Sequence, residues 1–293
     1  MKNLADLCSL VGADKGGRSA SRLCKPLYLS KALNLLAGSS SVAIVTGFYI
    51  PSARAAETDG PSGAAVLGRA LVWSGRSAVI FTDPLCSLVV EAASKAIDGP
   101  PVVAVSTAEE IMEYASFDVF IYIERLGKTS SGGYHNMRGE DITQWTAPLD
   151  DGIFLAQQKG IPVLAVGDGG NEAGMGLLFS ELARLVPEYE SSLSVTQADI
   201  ALPVDVSNWG GYALTALLSL RESRWLGQSL QEEEDLLTAV FKAGAVDGVT
   251  KRREPSVDGF PLNEHLRLVN ALRDWWQAAM SLREKKASDV SLS

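Results

Sequence analysis

The sequence predicts an α/β fold: a doubly wound, mostly parallel sheet with helices on both faces and extra helices at the C-terminal end. Short, nearly continuous apolar runs recur between residues 41 and 203, as expected for strands covered on both sides. Stretches with helical periodicity or capping signals lie between them. No internal repeat and no Pro- or Ser-rich linker divides the chain, so residues 1–293 read as one domain whose polar last stretch, 284–293, is expected to fray.

The strands are expected at 41–50, 77–82, 101–106, 118–124, 162–166 and 199–203, each rich in Val, Ile, Ala or Phe. Helices are expected between them at 62–74, 85–97, 107–115, 150–159 and 175–185. Thr107 with Glu110, and Ser229 with Glu232, have the spacing of a capping box. Beyond residue 199 the alternation fades. Stretches 210–221, 230–243 and 262–282 read as helices packed against the sheet, the last with Leu262, Leu266, Val269, Leu272 and Trp276 on one stripe. In such a sheet a ligand is expected beyond the carboxyl ends of the strands.

Composition narrows the function. The chain has 293 residues, 46% hydrophobic and 21% charged, which is ordinary for a globular protein. A net charge of -9 gives no basic excess to neutralise phosphates, so no nucleic-acid partner is expected. No apolar stretch reaches the ~20 residues of a membrane helix. Residues 1–30 lack the apolar core of a signal peptide. Three widely spaced cysteines without a CxxC pair fit free thiols in the cytoplasm.

Two apolar runs end in glycine-rich turns studded with carboxylates. After the first comes Glu57-Thr58-Asp59-Gly60-Pro61-Ser62-Gly63; after another comes Gly167-Asp168-Gly169-Gly170-Asn171-Glu172-Ala173-Gly174. Glycine lets backbone N–H groups approach a ligand, and acidic side chains there can hold an ammonium group or a hard metal ion. The first turn is neither a Walker loop nor GxGxxG, so no nucleotide cofactor is expected. Its bland reading is a Gly-Pro turn with Asp59 capping the next helix. Glu124 ends another run and has a salt bridge to Arg125 or Arg138 as its plain alternative. The loop 126–143 is long enough to be a lid or binding segment. It holds His135, weighed as a general base against an ordinary surface histidine; His265 reads as structural. Asn208 before Gly210-Gly211 reads equally as a helix cap or a ligand contact. Lys251–Arg253 reads as a solvated loop, and Asp258-Gly259 as a turn before the last helix. No Ser-His-Asp order, HExxH, GxSxG or phosphate-gripping lysine motif occurs.

Thr46-Gly47-Phe48, Glu57-Thr58-Asp59-Gly60-Pro61, Glu124-Arg125, Gly167-Asp168-Gly169-Gly170-Asn171-Glu172, Gly174-Met175-Gly176 and Ser207-Asn208-Trp209-Gly210-Gly211-Tyr212 together resemble the C-terminal domain of the D-glutamate cyclase family. The resemblance runs from Asp6-Leu7 to Val257-Asp258-Gly259 and the final helix. It implies a lyase-type conversion of D-glutamate to 5-oxo-D-proline with loss of water. The animal member carries a further N-terminal hydro-lyase-like domain without a counterpart here. Cyclisation therefore belongs either to this chain or to that domain, with this chain as its partner. The mitochondrial location of the animal member does not carry over, because residues 1–30 match the domain itself.

For such a reaction Asp168, Glu124 and Glu172 are the expected catalytic residues. Glu57, Asp59, Gly60, Gly63, Gly169, Gly170, Asn171, Asn208 and Arg138 are the expected substrate contacts, with Arg54 an alternative to Arg138. So many carboxylates meeting an acidic substrate call for a cation. Mg²⁺ or Mn²⁺ on Asp168 and Asp59 is the expectation. The rival is a non-catalytic module that binds an acidic amino acid or a related metabolite and reports to a hydro-lyase partner; self-association is left open.

Overall fold

The computed structural model describes residues 2–291, and the side chains of residues 3–283. Six parallel strands form the central sheet: β1 (Ser41–Thr46), β4 (Ser77–Thr82), β5 (Val102–Ala104), β6 (Val119–Ile123), β7 (Val163–Gly167) and β8 (Ile200–Pro203). Their spatial order is β5-β4-β1-β6-β7-β8, so the winding reverses between β1 and β6. That reversal opens a crevice at the strand carboxyl ends, where ligands of doubly wound sheets bind.

Side-chain alternation divides the core between the two faces. Val42, Ile44, Ile80, Ile121, Leu164 and Leu202 join one large cluster with helices α2 (Pro26–Gly38), α3 (Pro61–Trp73), α4 (Ser87–Ala96) and α8 (Ser207–Glu222). Ala43, Val45, Phe81, Phe120, Tyr122 and Ala165 face the other way, under α5 (Ala108–Tyr114) and α6 (Asp151–Gln158). Helices α1 (Lys2–Val11), α9 (Leu230–Lys242) and α10 (Leu262–Ser291) extend the first layer. The short helix α7 (Phe179–Leu185) packs in a smaller cluster beside β8.

The doubly wound reading is correct, with local differences. The expected first strand stops at Thr46 because Gly47 takes φ +112°. Beyond it the chain forms a small antiparallel pair, β2 (Tyr49–Ile50) with β3 (Ala55–Ala56). Helices α1 and α2 were not assigned from sequence. The capping box at Ser229 is complete, each group serving the other's backbone. At Thr107 only half forms, because the Glu110 carboxylate accepts from Ser106 N–H instead. The stretch expected to fray begins inside α10; residues 292–293 lie outside the described residues.

Where α8 meets α9, Glu233 is fully buried, accepting Tyr212 O–H at 3.1 Å and Gln228 N–H at 2.9 Å. Burial raises its pKa from 4.5 to about 7, against the pull of those two donors. The unfolded chain loses this proton first, so stability falls as pH rises from 4.5 to about 7, by about 3 kcal/mol in all. Glu233→Gln is expected to melt at a higher temperature than the parent at pH 8, with the gap closing near pH 4. A lower melting temperature at pH 8 would contradict this account.

Candidate functional site

Three buried carboxylates converge at the crevice. Asp59 precedes α3, Glu124 directly follows β6 and Asp168 directly follows β7. One oxygen of each lies within 4.8 Å of the others. Glu124 adopts φ +46°, a left-handed conformation that costs a non-glycine residue about 1 kcal/mol or more. Gly60, at φ +96°, lets the backbone pass beneath it: a Cβ there would stand 2.6 Å from Thr46 Oγ1 and 2.8 Å from Glu124 Cβ.

The start of α8 locks two of these acids. Asp59 accepts the N–H of Asn208 at 2.7 Å and of Ser207 at 2.8 Å, so it caps α8 rather than the helix that follows it in sequence. Ser207 Oγ donates to Glu124 Oε2 at 2.6 Å. Asn208 Oδ1 accepts from Gly60 N–H at 3.1 Å and Gly63 N–H at 2.7 Å. Gly60, Gly63 and Asn208, the expected substrate contacts of this turn, bond to one another in this structure. Helices α3 and α8 cross at Gly63 and Gly211, where a Cβ on Gly211 would lie 2.6 Å from Gly63 O.

Glu172 directs both carboxylate oxygens into its own turn. Its carboxylate is buried and accepts three backbone N–H groups, from Asp168 at 2.8 Å, Gly169 at 2.6 Å and Gly170 at 2.7 Å. Gly169 and Gly170 thus have no amide to offer a ligand, and Glu172 shapes the turn that presents Asp168. Asn171 Nδ2 donates to His135 O at 3.1 Å while the residue lines the cavity.

The cavity has a volume of about 450 Å³, with Glu57, Glu124, Asp168 and Asp258 among its walls. Arg138 stands at its exposed rim; Arg54 is exposed and not among the lining residues. Three lining residues escaped the sequence reading. Arg18, on the loop after α1, pairs with Asp168 at 2.6 Å and Asp258 at 2.8 Å. Asp258 lies in the turn between β9 (Ser256–Val257) and β10 (Phe260–Pro261), and half-buried Lys251 belongs to the wall rather than to a solvated loop. The Val257-Asp258-Gly259 motif was the available signal for Asp258. Nothing local distinguishes Arg18.

Electrostatics follow from this crowding. Burial, followed by neighbouring carboxylates, pushes Glu57, Glu124 and Asp59 well above the ordinary range, with Ser207 and Asn208 N–H groups pulling Asp59 back. Asp168 is raised by burial despite Arg18. Burial would raise Asp258 too, but Arg18 and hydrogen bonds outweigh it and hold it below the usual value. Glu57 Oε1 and Asp258 Oδ2 are buried without a hydrogen-bond partner among the described residues. The cage is therefore short of positive charge.

The other candidates have separate duties. Arg125 is spent on Asp83, Gly47 O and Ala147 O, not on Glu124. His135 faces Thr129 Oγ1 at 3.3 Å and is not among the lining residues. His265 is buried, accepting Trp209 Nε1–H at 2.9 Å and facing Phe260 O at 3.1 Å, a structural place as expected.

A family model described as D-glutamate cyclase-like, C-terminal, matches residues 7–273. The chain belongs to that family. It is similar to the human protein "D-glutamate cyclase, mitochondrial", at 29% identity over 320 residues, covering 93% of this chain and 52% of that relative. It therefore spans about half of the relative's length. A solved structure of E. coli tRNA N6-threonylcarbamoyladenosine dehydratase with AMP aligns with 68% of this chain and 93% of its own, at 14% identity. The TM-score is 0.28. Among the described residues, no helix of this family member is long and apolar enough to cross a membrane.

Proposed function

We propose that this family member converts D-glutamate to 5-oxo-D-proline at the carboxylate cage. The observation that carries the reading is the convergence of Asp59, Glu124 and Asp168 within 4.8 Å, with Glu124 and Asp168 lining a 450 Å³ cavity. A buried acidic floor attracts an ammonium group, and carboxyls raised by burial are stronger proton acceptors than ordinary ones once ionised. Glu124 or Asp168 takes a proton from the α-ammonium group, and the amine nitrogen attacks the γ-carboxyl carbon. The C–N bond forms, the C–O bond breaks, and oxygen leaves as water with the two protons shed by nitrogen. The reaction thus needs no external oxidant or acyl donor.

The same oxygens suit Mg²⁺ or Mn²⁺, held by Asp168 and Asp59 with Glu124. Such an ion would polarise the γ-carboxyl group. The second reading is a binding module that partners a hydro-lyase-like protein, with the same cavity holding an acidic metabolite without turnover. The three cysteines, all free, suit a reducing compartment, for which we propose the cytoplasm.

Incubating the chain with D-glutamate, with and without a chelator, and following 5-oxoproline by chromatography separates these readings. The cyclase reading expects product, and loss of product on chelation supports the metal. Binding without product favours the module, and neither binding nor product defeats both.

A further inference from the structure

We propose that Arg18 anchors the α-carboxylate of an amino-acid ligand while the acidic floor holds its ammonium group. The inference rests on reading the cage as an amino-acid site. It adds a specificity-determining residue on a loop outside the sheet.

A guanidinium carries five N–H donors in a planar fork. In Arg18, Nη1 meets Asp168 and Nη2 meets Asp258, and among the described residues no other acceptor engages the group. The side chain is 30% exposed and lines the cavity, whereas its two partners are 4% and 6% exposed. The fork is thus fixed from behind by buried acids and has donors left for a ligand. Arg125 makes the contrast: it is 1% exposed and consumed by three internal acceptors.

The loop bearing Arg18 is tied down. Asp14 Oδ1 accepts Ser19 N–H at 2.8 Å, and Asp205 Oδ2 accepts Ala13 N–H at 3.0 Å. Asp168 serves both poles, backing Arg18 and contributing to the floor with Asp59 and Glu124. A positive donor group therefore stands next to a negative floor, the complement of an ammonium and a carboxylate on one carbon. A planar guanidinium binds a carboxylate through two parallel bonds, which a lysine cannot reproduce.

Titration calorimetry with D-glutamate and with D-isoglutamine tests the assignment, because the second ligand replaces only the α-carboxylate by an amide. The parent protein is expected to bind D-glutamate about 30-fold more tightly, the range for hydrogen bonds to a charged partner. Arg18→Gln should reduce that preference to about threefold or less, whatever its effect on the affinity common to both ligands. Arg18→Lys, which keeps the charge beside Asp168 and Asp258, should give an intermediate preference and serves if the glutamine variant does not fold. Equal affinity of the parent for both ligands, or full discrimination in a folded Arg18 variant, overturns the proposal. Discrimination without turnover removes the cyclase reading and leaves Arg18 assigned; turnover without discrimination does the reverse. Failure to bind either ligand removes both.

Discussion

Asp168→Asn is expected to lower formation of 5-oxo-D-proline from D-glutamate by about a thousandfold, within the range of a lost acid–base group. The substitution keeps the size of the side chain and removes its ability to carry a proton. It also removes the charge facing Arg18 Nη1, so the product assay should be paired with a melting curve. A folded variant retaining more than about a tenth of parental activity would remove Asp168 from the chemistry.

Glu172→Ala is expected to cost about 4 kcal/mol of stability. Its carboxylate takes the N–H groups of Asp168, Gly169 and Gly170 in a buried turn. Truncation leaves these three donors unpaired, each a loss of about 1–3 kcal/mol before relaxation. For a chain of this size the melting temperature should fall by about 7 °C. Because the turn presents Asp168, ligand binding should weaken as well. A melting temperature within about 2 °C of the parent would mean that the turn holds itself.

The sheet was legible because its strands are buried on both faces and therefore read as continuous apolar runs, as in Val119–Ile123. Strand ends then gave Glu124 and Asp168, since an acidic residue after such a run has few structural reasons to be there. The glycines are the harder case. Gly63 and Gly211 serve a helix crossing, while the Gly169 and Gly170 amides serve Glu172. Local sequence shows that a backbone can approach something closely, but not whether that something is a ligand or a neighbouring helix. Arg18 and Lys251 were missed for the opposite reason. They sit on loops outside the strand–helix alternation and acquire meaning only when tertiary folding sets them against Asp168, Asp258 and Glu57.

The pKa directions lead to the most direct test. Glu57, Asp59, Glu124 and Asp168 hold protons to higher pH than ordinary carboxyls. An ammonium group entering among them stabilises the ionised forms, so its binding should expel protons and strengthen as pH rises above the ordinary carboxyl range. Calorimetry of D-glutamate binding at pH 7, in two buffers of different ionisation enthalpy, measures this release. Buffer-dependent heats with net proton loss, together with affinity that grows as pH rises above the ordinary carboxyl range, are the predicted result. Identical heats in both buffers and an affinity indifferent to pH would contradict a protonated carboxylate cage as the seat of binding.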